Sequence, residues 1–104
     1  MNRLFITIAA LALPLFAAAA EHTVAQKGKA FSTPAITIKV GDKIAFKNED
    51  PFVHNVFSLD EAISFDLGTY GQGQAKSQAF AKAGKFEIEC AIHPEMKLVV
   101  TVTP

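Results

Sequence analysis

The chain has 104 residues, half of them hydrophobic and 19% charged, with a formal net charge of zero. That size holds one small domain. The charge balance excludes the basic excess of a nucleic-acid binder, and the apolar content excludes a disordered chain. The single cysteine, Cys90, excludes a disulfide scaffold and any four-thiolate metal site within one chain.

Residues 1–20 read as a secretory leader. Arg3 is a short basic start, Leu4 to Phe16 is an almost unbroken apolar run, and Ala17 to Ala20 are small residues before Glu21. An uncleaved amino-terminal anchor is the alternative, because the run is at the lower edge of the roughly 17–25 residues that span a bilayer. No lipid-attachment cysteine follows it. The expectation is therefore a leader over 1–20, an exported domain over 21–104, and no stable membrane insertion after cleavage. Cleavage after Ala19 leaves Ala20-Glu21-His22, whose amine, amides and imidazole can chelate Cu(II). Cleavage after Ala20 removes that arrangement, and a solvated terminal histidine is the plainer reading. The exported part holds nine lysines, no arginine and ten carboxylates, a net charge of −1. It contains one cysteine, one methionine (Met96) and three histidines (His22, His54 and His93).

The remaining pattern is β throughout. Val24 to Phe31 is a polar, weakly alternating stretch. Ile36, Ile38 and Val40 alternate with Thr37 and Lys39, the period of a half-buried strand. Gly41-Asp42 is a turn pair, and Ile44 and Phe46 supply the partner strand. Asn48 to Pro51 is a turn cluster, and Phe52 to Leu59 is a third apolar run with His54 inside it. Asp60 to Ser77, with Gly68, Gly71 and Gly73, reads as loop with short strand pieces, and a helical turn around Leu59 to Ile63 is a weak alternative. Gln78 to Ala81 suggests a strand before the Ala83-Gly84 turn. Phe86, Ile88 and Cys90 alternate with charged residues, so this strand's inward face ends on the thiol. Ala91 to Glu95 is a tight loop. Leu98, Val100 and Val102 form the last strand, with Met96 at the same parity. Short strands separated by Gly, Pro and Asx turns predict a small all-β sandwich or barrel.

The chemistry concentrates in Cys90-Ala91-Ile92-His93-Pro94-Glu95-Met96. A thiolate, an imidazole and a thioether are offered from one loop, and His54 offers a second imidazole from another strand. Two histidines and a cysteine in a trigonal plane, with a weak axial methionine, make a blue-copper electron-transfer site. Soft sulfur ligands favour Cu(I), and imidazole suits both oxidation states. Singly, each residue has an ordinary alternative: a buried apolar cysteine, a core methionine, a satisfied histidine at a strand end. Jointly, in a chain with one exported cysteine and one exported methionine, they point to copper. Glu87 and Glu89 share the outward face of the strand before Cys90, the usual sign of a solvated sheet face. Tyr70 and its neighbouring glycines have no phosphate-cradle spacing.

The sequence resembles the cupredoxins, specifically the small plastocyanin- and amicyanin-like proteins. The resemblance runs through Val40 to Asn48, Pro51 to Val56, Phe65 to Gly68, Gly84 to Phe86 and Cys90 to Met96. It implies a Greek-key β-sandwich with one type 1 copper ion at one end, bound by His54, Cys90 and His93 with Met96 axial. It implies that Asn55 braces the ligand loops through hydrogen bonds. It also implies an electron port where His93 reaches the surface, a patch that Pro51 and Phe52 would extend if they are not ordinary turn and core packing. The expected function is single-electron transfer in the periplasm by a monomer that is not an enzyme. The expected partners are a c-type cytochrome or a periplasmic dehydrogenase. A periplasmic carrier or chaperone that delivers copper, and a metal-free interaction module, are the competing readings.

Overall fold

The computed structural model describes residues 18–104. Among them are eight strands and no helix: β1 (Glu21–Gln26), β2 (Ala35–Lys39), β3 (Lys43–Asn48), β4 (His54–Ser58), β5 (Phe65–Tyr70), β6 (Ala75–Ala79), β7 (Gly84–Glu89) and β8 (Lys97–Thr103). They form a three-stranded sheet in the order β1-β3-β6 and a five-stranded sheet in the order β2-β8-β7-β4-β5. β1 runs parallel to β3, and β2 runs parallel to β8; the other pairs are antiparallel. No described helix is long and apolar enough to cross a membrane. Most of the expected leader, residues 1–17, lies outside the described residues.

The core joins apolar faces from both sheets. Val24, Ile44 and Phe46 come from the smaller sheet; Ile38, Val56, Phe86, Ile88, Leu98, Val100 and Val102 come from the larger one. Phe80, fully buried after β6, meets Phe65 edge-on with ring centres 6.1 Å apart, and Phe31 meets Phe46 at 6.2 Å. Strict alternation along β7 and β8 gives each strand one dry face and one wet face. Glu87 and Glu89 lie on the wet face, where Glu87 meets Lys97 at 3.5 Å with both side chains exposed. Such a surface pair contributes about 0–1 kcal/mol.

Four expectations are corrected. The segment from Asp60 to Ser77 contains β5 and most of β6. Its strands were masked by a one-residue register shift on β5, where Gly68 takes φ +72°, and by the polar composition of edge strand β6. The strand expected at Gln78–Ala81 therefore lies about three residues earlier. Leu59 to Ile63 is a turn, closed by Ile63 N donating to Asp60 O at 3.1 Å and Ala62 N donating to the Asp60 side chain at 2.9 Å. Val40 does not continue the inward face of β2. It sits in the turn into β3 and is 43% exposed.

That turn carries a polar clamp. Asp42 Oδ2 accepts from Lys39 N at 3.0 Å and from the His22 ring at 2.9 Å, and Asp42 Oδ1 accepts from Ala20 N at 2.9 Å. The His22 bond, followed by the two backbone donors, lowers the Asp42 carboxyl to about 2. A carboxyl held below its unfolded value of 3.8 stabilises the fold above that value, and the contribution is lost as pH falls through about 2. The metal-free protein should therefore lose melting temperature between about pH 4 and pH 2, and an Asp42→Asn variant should show a flatter acid limb in the same scan. A second test concerns β7. Gly84 has φ +151°, and a Cβ there would lie 2.9 Å from the ring of buried Phe86. Gly84→Ala should cost about 1–3 kcal/mol in urea unfolding through overpacking. Gly73→Ala, with φ +81° and nothing within 4 Å, should show backbone strain alone, about 1–2 kcal/mol.

Candidate metal centre

The centre is assembled by the pairing of β4 with β7. These antiparallel neighbours set Phe57 opposite Glu89. Extending that register brings Asn55 opposite Ala91, and Ala91 N donates to Asn55 Oδ1 at 2.7 Å. The start of β4 and the loop after β7 thus meet at one end of the sandwich. His54 and Cys90 are both buried there, and His93 is half-buried.

Three donor atoms converge. Cys90 Sγ is 3.8 Å from His54 Nδ1 and 3.9 Å from His93 Nδ1, and the two Nδ1 atoms are 3.1 Å apart. The point equidistant from all three lies about 2.1 Å from each, against metal–nitrogen and metal–thiolate bonds of about 2.0–2.3 Å. The triangle is sized for one d-block ion. Met96 is fully buried in the same core cluster as Cys90. Its backbone N donates to His93 O at 2.9 Å, which closes the loop into β8.

The ring of His54 is oriented from behind. Its Nε2 and Asp50 Oδ2 are 2.7 Å apart. Burial pushes the Asp50 carboxyl up, but the His54 ring and the backbone amides of Gly28 and Lys29 outweigh it and hold it below its ordinary value. An ionised carboxylate only accepts, so His54 carries its proton on Nε2 and presents a lone pair on Nδ1. Gly28 N and Lys29 N donate to the two Asp50 oxygens at 2.7 and 3.1 Å. They reach them because both residues adopt left-handed backbone, φ 63° and 57°. Asn48 fixes the other side of this loop: its Oδ1 accepts from Asp50 N at 2.8 Å, and its Nδ2 donates to Phe52 O and Tyr70 O at 2.8 and 3.0 Å. Behind Asn55, Gln26 donates to the Asn55 carbonyl at 3.4 Å and accepts from the Tyr70 hydroxyl at 2.7 Å. Burial, and then the neighbouring Cys90, push the Tyr70 hydroxyl well above its ordinary value, so it stays a neutral donor.

The rim is apolar. The Phe52 ring lies 5.3 Å from the His54 ring and 5.4 Å from the His93 ring, with Lys29 Nζ 5.8 Å from its centre. Phe52, Val53 and Ile92 are exposed, as are Pro51 and Pro94. The apolar run that reads as a strand from Phe52 therefore enters the sheet only at His54. His22 is not brought to this centre; it belongs to the Asp42 clamp. Asp50, Asn48 and Gln26 were not singled out as supporting residues by the sequence. The available signal for Asp50 was a carboxylate four residues before a candidate ligand histidine, in a turn where Asx residues are ordinary.

The sequence profile of the copper-binding proteins of the plastocyanin/azurin family matches residues 18–103. The chain belongs to this family. Amicyanin from Paracoccus denitrificans is 30% identical over 82 residues, 69% of this chain. The aligned part spans 57% of the length of that relative. A Cu(I) structure of a methionine-to-alanine variant of amicyanin superposes with a TM-score of 0.74 at 26% identity, covering 79% of this chain and 81% of the other. A copper-containing nitrite reductase from Thermus scotoductus SA-01 gives 0.74 at 28% identity, covering 81% of this chain and 22% of the enzyme. The fold is that of a cupredoxin, as the resemblance implied, and the family's cofactor is copper.

The supporting bonds to His54 give a direct test. Asp50→Ala removes the acceptor of the ring Nε2 and of two amides at a site that is 5% exposed. Leaving the buried His54 Nε2–H unpaired costs about 1–3 kcal/mol, whereas the amides of exposed Gly28 and Lys29 can turn to water, so urea unfolding of the metal-free protein should show a loss in that range. Asp50→Asn keeps one acceptor oxygen and should lose less.

Proposed function

We propose that this cupredoxin is a periplasmic blue copper protein that carries single electrons between redox partners. The observation that carries the reading is the donor triangle of His54, Cys90 and His93, sized for one ion, with His54 and Cys90 buried and His93 half-buried. Copper, when bound, supplies the Cu(I)/Cu(II) couple. His54, Cys90 and His93 are assigned as the strong ligands and Met96 as the weak axial one. Asp50 and Asn55 hold two of the ligand segments in place without the metal's help, so the site does not need to rebuild when its charge changes. Burial of His54, Cys90 and Met96 excludes water and keeps the thiolate from other reactions. His93 lies within the apolar collar of Phe52, Ile92 and Pro94, a surface suited to brief contact with a partner, and no bound substrate is transformed.

Periplasmic residence rests on the leader-like residues 1–20. A c-type cytochrome or a periplasmic dehydrogenase, contacted by a monomer, fits the resemblance to amicyanin. Copper delivery would use the same side chains in an exchange-prone site, and one experiment separates the two. The exported protein is loaded with Cu(II) and its visible spectrum is recorded. An intense thiolate-to-copper charge-transfer band supports electron transfer; copper bound without that band favours delivery; no binding overturns both.

Substitutions refine the assignment. Cys90→Ala should abolish the visible band. Met96→Leu should keep copper and the band while raising the reduction potential, because a weak donor to Cu(II) is lost; voltammetry reads the change. Acid should weaken copper binding, because imidazole ligands must be neutral, and a retained blue band in Cys90→Ala would refute the ligand set.

A further inference from the structure

At the start of β1, in the turn between β2 and β3, Asp42 holds an unbalanced charge. Its carboxyl is 7% exposed and lowered to about 2, so it is ionised at neutral pH. Its only ion-pair partner among the described residues is His22, which is a cation only when protonated. Oδ2 is shared by His22 and the Lys39 amide, whereas Oδ1 accepts from Ala20 N alone, at 2.9 Å. Ala20 is held on its other side as well, its carbonyl accepting from Lys43 N at 2.9 Å. The nitrogen of residue 20 is therefore fixed against a buried carboxylate, at one of the two positions where the small-residue run allows a leader to be cut.

We propose that Ala20 is the first residue of the exported chain and that its free ammonium forms an ion pair with Asp42, locking β1 onto β3. The proposal rests on the export reading but not on the copper reading. The step is hydrolysis of the Ala19–Ala20 peptide by a leader peptidase. One water is consumed, the leader leaves with the new carboxylate on Ala19, and Ala20 keeps the nitrogen, which takes up a proton. A neutral N–H facing Asp42 Oδ1 becomes a full positive charge at the same place. A cut one residue later would remove both the Oδ1 donor and the acceptor for Lys43 N. Pairing the amine and the His22 ring with Asp42 also turns them away from the Cu(II) chelate that Ala20-Glu21-His22 could form.

The test begins with the intact mass of the full chain after export. A mass starting at Ala20 is expected. A start at Glu21 or elsewhere overturns the proposal and leaves export standing; an uncut chain overturns the export reading with it. Two metal-free proteins starting at Ala20 are then melted at neutral pH, one with a free amine and one acetylated. Acetylation removes the charge but keeps an N–H, and the acetyl carbonyl takes the place of the Ala19 carbonyl. The free amine should melt on the order of 4–8 °C higher, the size of shift expected when one modest interaction is lost in so small a domain. Asp42→Asn should erase the difference. Equal melting of the free and acetylated forms overturns the ion pair, and that comparison decides the matter even if Asp42→Asn does not fold.

Discussion

The bond between Asp50 and the His54 ring is the constraint on which the centre depends. It decides which nitrogen of His54 carries the proton, and so which lone pair faces Cys90 and His93. The same carboxylate gathers two amides from the Gly28–Lys29 turn, so a loop from the smaller sheet is tied to a ligand on the larger one. Burial argues against an ionised acid at that position, and three donors reverse the balance. A charge in such a place is expensive to strand, so the turn, the loop and the imidazole are held as one unit.

The rest of the fold supplies the frame around that unit. The candidate donors lie at the first residue of β4 and in the loop after β7, and strand ends and loops alone do not hold a side chain within the tolerance a metal needs. Here each is pinned by side-chain-to-backbone bonds across elements: Asn48 to Phe52 and Tyr70, and Asn55 to Ala91. The two β-sheets set the distance between the pins. This division leaves the rim free to be apolar and irregular, since Phe52, Val53 and Ile92 contribute little to the core that positions the donors behind them.

What the sequence revealed follows the same division. Strands β7 and β8 have one wet face and one dry face, and β3 carries Ile44 and Phe46 on one parity between lysines, so alternation exposes them, and Cys90 lies on the dry parity of β7. β5 and β6 escaped because the glycine-marked register shift breaks the period and because an edge strand such as Ala75–Ala79 needs no apolar face. Phe52 and Val53 misled in the opposite sense, being apolar for the rim and not for the core. His54, Cys90, His93 and Met96 stood out through scarcity. Asp50 and Asn48 did not, since Asp and Asn in a turn cluster look the same whether they serve the turn or a ligand 2.7 Å away.

The uneven spacing of the donors along the chain has a consequence for assembly. Cys90, His93 and Met96 fall within one loop, while His54 is 36 residues from Cys90. The unfolded chain therefore already keeps two sulfurs and one imidazole close together, whereas the second imidazole of the candidate site joins them only when β4 docks beside β7. Any copper affinity of that local group is affinity for the unfolded state. Affinity for the unfolded state then cancels part of the stabilisation that binding to the native state would bring. An order in which export and folding precede metal loading avoids that loss.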